Sequence, residues 1–387
     1  MSLKDKLDAV LKRAADAGDV PGVIAMVTNA EGAIYQGAFG KRAADLDAVM
    51  TTDTVCWIAS MTKALTATAA LQLVEQGKLD LESPASQWLP ALGQQQVLEG
   101  FDAKGKPITR APTRAITLRH LLTHTAGFGY EFLSEEIQRY QQSEGIPSVV
   151  GCERASLNLP LLFDPGTRFE YGISLDWVGQ LVEAASGQTL GAYFAEHLFG
   201  PMGMQDTGFV MSPGMRERKA KIHQRVDGQL VPLDLEMPSP PPIEMGGSGL
   251  YSTVGDYLKF LRMLLNRGAA TNGRVLKAET VDLLSRNQMG ELVVPSLRTA
   301  NPMLTNDMHL PPDNPQQWGL LNMINTKPMP TGRKAGSLMW AGLSNCYYWV
   351  DPTTQLAGVF LTQILPFADV KAMPLFFEFE YTVYQNL

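Results

Sequence analysis

Ser60 and Lys63 stand three positions apart in the stretch Trp57-Ile58-Ala59-Ser60-Met61-Thr62-Lys63-Ala64-Leu65-Thr66. On a helix that spacing puts both side chains on one face, within hydrogen-bonding reach. A serine hydroxyl is a weak nucleophile until a neighbouring base takes its proton, and a lysine serves as that base when burial makes its charged form costly. The spacing alone arises by chance about once in a chain of this length, so its surroundings decide what it means.

Those surroundings point to burial. From Ala64 to Val74 the run carries no charge and is small on every side until Gly77, which predicts a central helix packed all round, with Ser60 at its N-terminus where the helix dipole favours developing negative charge. Before it, Gly22–Thr28 and Ala33–Gly37 flank the polar Asn29-Ala-Glu-Gly32 as a β-hairpin, preceded by an amphipathic charged helix near the N-terminus. From Pro84 to about residue 224 the pattern reads as helices and loops, including a short helix capped by Thr117 and another from Asp176 to Ala185 ended by Gly187. Strand character returns in Asn345–Val350 and Gln355–Thr362 around the turn Asp351-Pro-Thr-Thr354, and Lys371–Gln385 reads as a closing helix. The expected fold class is α/β (α+β): one antiparallel sheet built from both termini and flanked by helices, over residues 1–82 and 225–387, with a mostly helical domain inserted at 83–224. The seam between the two is the default pocket. Two long proline-containing segments, 232–243 and 288–317, are expected to be pocket walls or mobile loops.

With 387 residues, 45% hydrophobic and 18% charged, the chain has the composition of an ordinary globular protein with a large core. A net charge of -7 argues against nucleic acid as a partner. The three cysteines, Cys56, Cys152 and Cys346, are odd in number and far apart, which suggests free buried thiols rather than disulfides or a zinc cluster. The charged first helix has no signal-peptide core and no apolar run approaches the roughly 18 residues of a membrane span, so a cytoplasmic location and no membrane partner are expected. The sequence leaves the oligomeric state open.

Three further stretches matter once a serine nucleophile is supposed: Phe169-Glu-Tyr171-Gly-Ile-Ser174, which delivers a phenol just before a helix; Gly336-Ser-Leu-Met-Trp340-Ala-Gly342-Leu343, just before the late strand; and the glycine-rich turn Gly246-Gly-Ser-Gly-Leu-Tyr-Ser-Thr253. Ser60-Met-Thr-Lys63, Tyr171 and Trp340-Ala-Gly342 occur in the order of the three motifs of the serine β-lactamase and penicillin-binding-protein fold. The chain more closely resembles the class C β-lactamase-like esterases called family VIII carboxylesterases, and Leu121-Leu-Thr-His-Thr-Ala-Gly127, Gly249–Thr253 and Gly336–Gly342 resemble that family's connecting motifs, over about residues 22–377. The resemblance implies that Ser60 forms an acyl-enzyme, that Lys63 and Tyr171 share its proton, with the base undecided between them, and that the Ser60 and Leu343 backbone N–H groups form an oxyanion hole. It also implies that no cofactor or metal is needed.

Two departures refine the expectation. Trp340 stands where β-lactamases carry a lysine, replacing a cation for a substrate carboxylate with an apolar plate, and Ile173 stands where they carry an asparagine that steadies the lysine. Both favour a small-molecule ester of short to medium acyl chain over a β-lactam, hence a serine carboxylesterase. β-lactamase or D-peptidase activity, acyl transfer to another acceptor, and a non-catalytic scaffold are the alternatives. Trp340, Ala341, Gly342, Tyr130, Phe128, Phe132 and Trp318 are candidates to line the substrate pocket, against ordinary packing. His120 and His124 are four apart, as metal-sharing pairs on a helix are, but lack a third ligand, so structural hydrogen bonds are the better expectation. Gly172-Ile-Ser174-Leu-Asp176 nearly matches a nucleophile elbow, and Ser174 or Asp176 as a helix cap accounts for it better.

Overall fold

The computed structural model describes residues 2–387. Helix α1 (Leu3–Asp16) begins with a capping box, in which the Ser2 hydroxyl accepts from the Asp5 N–H while the Asp5 carboxylate accepts from the Ser2 N–H. Its apolar stripe of Leu7, Val10, Leu11 and Ala14 turns inward. The chain then enters the hairpin β1 (Gly22–Thr28) and β2 (Ala33–Gly40), whose first strand is buried along its whole length because helices cover both faces of the sheet. Five later strands complete the sheet: β5 (Gln316–Trp318), β6 (Met323–Asn325), β7 (Leu338–Gly342), β8 (Cys346–Asp351) and β9 (Leu356–Leu361). The order is β5-β6-β7-β8-β9-β1-β2, antiparallel throughout, so the two ends of the chain meet where Ile24 pairs with Leu361.

One face of this sheet is covered by α1 and the closing helix α7 (Ala372–Tyr384), with Leu7, Leu11, Trp349, Phe360, Phe376 and Phe379 in a common core. The other face carries α6 (Val254–Leu265), which packs on β1, β8 and β9. Beyond it lies α2 (Thr62–Glu75), buried from Thr62 through Leu73 and packed on α5 (Ser174–Ser186). The uncharged, small-residue sequence of α2 suits a helix with neighbours on all sides.

Between residues 83 and 224 the chain forms α3 (Leu118–Leu122), α4 (Glu135–Glu144), α5 and several short helical turns. It also forms a hairpin absent from the sequence expectation, β3 (Val97–Phe101) with β4 (Pro107–Arg110). Its turn is held by the Asp102 carboxylate, which accepts the Lys104 and Lys106 N–H groups, with Gly105 at φ +80°. An Asx turn before a lysine-glycine pair is the signal that identifies it. Thr117 caps α3 and Gly187 ends α5 in the left-handed conformation, as expected. Ser174 and Asp176 do not cap α5: Ile173 holds that position without a side-chain bond, and the Ser174 hydroxyl has no partner. The three cysteines are free and buried. Among the described residues no helix is long and apolar enough to cross a membrane.

Candidate functional site

Ser60 lies not within α2 but in the single 3₁₀ turn Ala59–Met61 that leads into it. The turn is tight: Ala59 has φ +43°, a left-handed conformation that costs a side-chain-bearing residue of the order of 1 kcal/mol or more. Its neighbours hold it there. The Ile58 N–H donates to the Leu250 carbonyl at 3.1 Å, the Leu250 N–H donates to Thr62 Oγ1 at 3.1 Å, and the Tyr257 hydroxyl donates to the Met61 carbonyl at 2.9 Å. On the opposite side β7 presses against the turn so closely that a Cβ on Gly342 would stand 2.3 Å from the Ile58 carbonyl oxygen.

Lys63, at the start of α2, is 2% exposed and donates three hydrogen bonds: to Ser60 Oγ at 3.2 Å, Tyr130 Oη at 2.9 Å and the Gly247 carbonyl at 2.7 Å. The glycines at 246–247 are needed for close approach rather than for a special turn, since a Cβ on Gly247 would collide with the Asp176 carboxylate at 2.4 Å. That carboxylate is itself buried, accepts the Gly247 N–H at 2.7 Å and lies within 3.5 Å of the Tyr130 hydroxyl. Burial lowers the proton affinity of Lys63, opposed by the charge of Asp176; burial likewise raises that of Asp176, opposed by Lys63. The two form one buried, interacting pair.

Tyr171 completes the group. Its side chain lines the same cavity as Ser60, its hydroxyl accepts the Trp340 Nε1–H at 2.8 Å, and its ring lies 4.8 Å from Lys63 Nζ. Burial pushes this phenol well above its ordinary range, against the hydrogen bond from Trp340, so it is un-ionised at neutral pH. Trp340 is therefore more than an apolar plate: it is a hydrogen-bond donor fixed on Tyr171, with its ring 4.8 Å from the tyrosine ring.

Ser60 opens into a small apolar cavity of about 30 Å³ lined by Tyr171, Trp340, Ala341, Gly342 and Leu343, and closed by Phe132, Leu297, Thr305 and Phe367. Neither the Ser60 nor the Leu343 N–H is spent on a backbone carbonyl, so both are free to meet an oxyanion there. The long segment 288–317 is thus a wall of this cavity through Leu297 and Thr305.

The remaining sequence expectations divide. Phe128 is not a pocket residue; it is fully buried and stacks on Trp177. Trp318 stands behind the pocket, edge-on to Trp340 at 4.6 Å. Tyr130 faces the lysine rather than an acyl group. His120 does use its ring in a structural bond, with Nδ1 accepting the Thr117 N–H at 3.2 Å. His124 does not: α3 ends before it, its φ is +56°, and its two ring nitrogens have no partner among Tyr171, Phe169 and Trp318. Burial and the charge of Lys63 keep it neutral. Asp176 is the buried site group that sequence reading missed, and the near-elbow spacing around it gave no hint of its partner.

An antiparallel sheet flanked by helices, with a serine turn met by a buried lysine and a tyrosine, defines the serine β-lactamase and penicillin-binding-protein fold. The chain belongs to the Beta-lactamase family, whose model it matches over residues 7–376. It is 32% identical to monacolin J acid methylbutanoyltransferase of Aspergillus terreus, across 98% of this chain and 95% of that protein. It is 31% identical to the lovastatin esterase of Penicillium rubens, across 93% of each. Among solved structures it superposes on a mutant of simvastatin synthase from Aspergillus terreus with a TM-score of 0.84 at 31% identity, covering 98% of this chain and 94% of that one.

Proposed function

We propose that this enzyme moves a short acyl group from an ester donor to an acceptor through an acyl-enzyme on Ser60, with an alcohol as acceptor and water as its competitor. The carboxylesterase expected from sequence is the hydrolytic branch of this reaction. The observation that carries the reading is the buried Lys63 Nζ at 3.2 Å from Ser60 Oγ, with the Ser60 hydroxyl facing an apolar cavity. Relatives named as an acyltransferase and as an esterase support both branches.

In this reading Lys63 is the base, because burial lowers its hold on a proton while burial raises that of Tyr171; the neutral amine keeps its two protons on Tyr130 and the Gly247 carbonyl and turns its lone pair to the Ser60 hydroxyl. Ser60 Oγ attacks the donor carbonyl and its proton passes to the Lys63 amine. The oxyanion is met by the Ser60 and Leu343 N–H groups. Collapse breaks the bond to the donor alkoxide, which takes a proton either directly from the Lys63 ammonium or from the Tyr171 hydroxyl, the phenol then being reprotonated by that ammonium. The acceptor hydroxyl repeats the sequence in reverse and frees Ser60. The cavity holds about twice the volume one water needs, which suits acyl groups of a few carbons.

Ser60→Ala should abolish both p-nitrophenyl butyrate turnover and labelling by a fluorophosphonate, with an unchanged circular dichroism spectrum. Turnover retained by this variant would refute the assignment, and a wild-type protein that resists the probe would favour the scaffold alternative. Comparison with nitrocefin tests the remaining alternative, since a higher kcat/KM on the β-lactam would reverse the preference for esters.

A further inference from the structure

Beside the acyl cavity lies a second, larger and open one of about 640 Å³, bounded by β3, the start of α4, and residues 298–300. Leu133 lines both cavities, and the wall between them is made of two segments joined where the Ala300 N–H donates to the Phe132 carbonyl at 2.9 Å. The two cavities thus share Leu133 in their walls.

Glu99 pairs with Arg110 and Arg298 lies 3.9 Å from Asp307, but other charged groups in the lining are left without an ion-pair partner. The Arg139 guanidinium rests on the Phe101 ring at 4.0 Å and is in no ion pair among the described residues. Arg168 rests on Phe163 at 4.6 Å and donates only to the Leu162 carbonyl. Beside them, the Glu136 carboxylate accepts the Ser134 hydroxyl, and the Glu170 carboxyl makes no hydrogen bond. Burial raises the Glu170 carboxyl to about 7, so that near neutrality it both donates and accepts. Donors and acceptors stand side by side over an aromatic and aliphatic floor of Phe101, Leu98 and Leu162. A carboxylate ligand would meet Glu135 and Glu136, and an ammonium would meet the arginines; a ligand whose groups each donate and accept satisfies both sets.

We propose that this cleft holds the acceptor of the acyl group and that the acceptor is a polyhydroxylated alcohol. The inference rests on the acyl-enzyme reading of Ser60. One acceptor hydroxyl reaches past Leu133 to the acyl carbonyl; its oxygen forms the new ester bond, its proton goes to the Lys63 amine, the bond to Ser60 Oγ breaks, and Ser60 recovers that proton. The other hydroxyls stay in the cleft on Arg139, Arg168 and Glu170.

The test loads the enzyme with p-nitrophenyl butyrate and offers methyl β-glucopyranoside or cyclohexylmethanol, measuring butyryl ester against free butyrate by mass spectrometry. Both products arise from the same acyl-enzyme, so their ratio is independent of how fast that species forms. Capture by the glucoside should saturate with concentration while capture by cyclohexylmethanol rises linearly. Arg139→Ala and Arg168→Ala should each lower subsaturating capture by the glucoside about fivefold and leave the cyclohexylmethanol ratio unmoved, and Arg139→Lys should recover part of the loss. Linear capture of the glucoside, or a ratio indifferent to all three variants, overturns the cleft while the Ser60 acyl adduct remains visible by intact mass. Absence of any adduct overturns the Ser60 reading and this inference with it.

Discussion

Asp176 bears on the one proton the chemistry moves. Its negative charge stabilises the ammonium form of Lys63, so it works against the burial that frees the amine to act as a base. Asp176→Asn keeps an acceptor for the Gly247 N–H but removes that charge. The proton affinity of Lys63 should then fall further, and the neutral amine should be present at lower pH. The acid limb of the pH profile of kcat/KM on p-nitrophenyl butyrate should therefore move to lower pH by about one unit. A limb that stays in place or moves upward would show that another group controls it. The same residue marks where sequence reading ends. Ser60, Lys63, Tyr171 and Trp340 were legible because helical spacing and motif order fix which side chains meet. The roles of Asp176 and Tyr130 beside Lys63 were not, although Tyr130 was a pocket candidate, because they come to the site from α5 and from an irregular segment, and no period in the sequence tells which way a side chain there points.

At the scale of elements, the site is a meeting of a turn and a strand edge. The Ala59–Met61 turn and β7 touch through Gly342, and the contact is backbone on backbone. Gly342→Ala would place a methyl group against the Ile58 carbonyl, which cannot rotate away as a side chain would. Either β7 or the turn must shift, and with it the distance between the Ser60 and Leu343 N–H groups. We expect kcat/KM to fall about a hundredfold, the scale of an ångström-sized misplacement, with a loss of stability of about 1–3 kcal/mol in urea unfolding. Full activity in this variant would mean that the two N–H groups are not set by this contact. The elements themselves were largely readable. The terminal hairpins, the uncharged α2 and the capped α3 carried clear periods or caps; the β3–β4 hairpin was missed because its strands are short and partly exposed, so that only its Asx turn distinguishes it from loop. The placement of Ser60 in a 3₁₀ turn was also invisible, since the three-residue spacing to Lys63 serves either helix.

At the scale of the whole molecule, the acyl cavity is assembled from parts that are remote in sequence: Phe132 before α4, Leu297 and Thr305 in the long segment ahead of β5, residues 340–343 at the end of β7, and Phe367 after β9. Such a cavity has no signature in any one stretch, which is why Phe128 was expected in it and Leu297 was not. It also means that its depth depends on how the proline-containing segment 288–317 lies across the sheet. That segment is pinned at several points: the Leu297 and Met308 N–H groups each donate to the other's carbonyl, at 3.0 and 2.8 Å, and the Phe367 N–H donates to the Leu304 carbonyl at 2.9 Å. Because the backbone is held, shortening one side chain should enlarge the cavity rather than let the wall collapse. Leu297→Ala removes three carbons from a wall that now leaves about 30 Å³, so the p-nitrophenyl ester preferred in a series from acetate to decanoate should lengthen by about two carbons, at about 0.8 kcal/mol of binding per methylene buried. The acetate should be turned over no better than before. An unchanged chain-length profile would place the acyl group elsewhere, along the larger cleft beyond Leu133, and would exchange the roles assigned here to the two cavities.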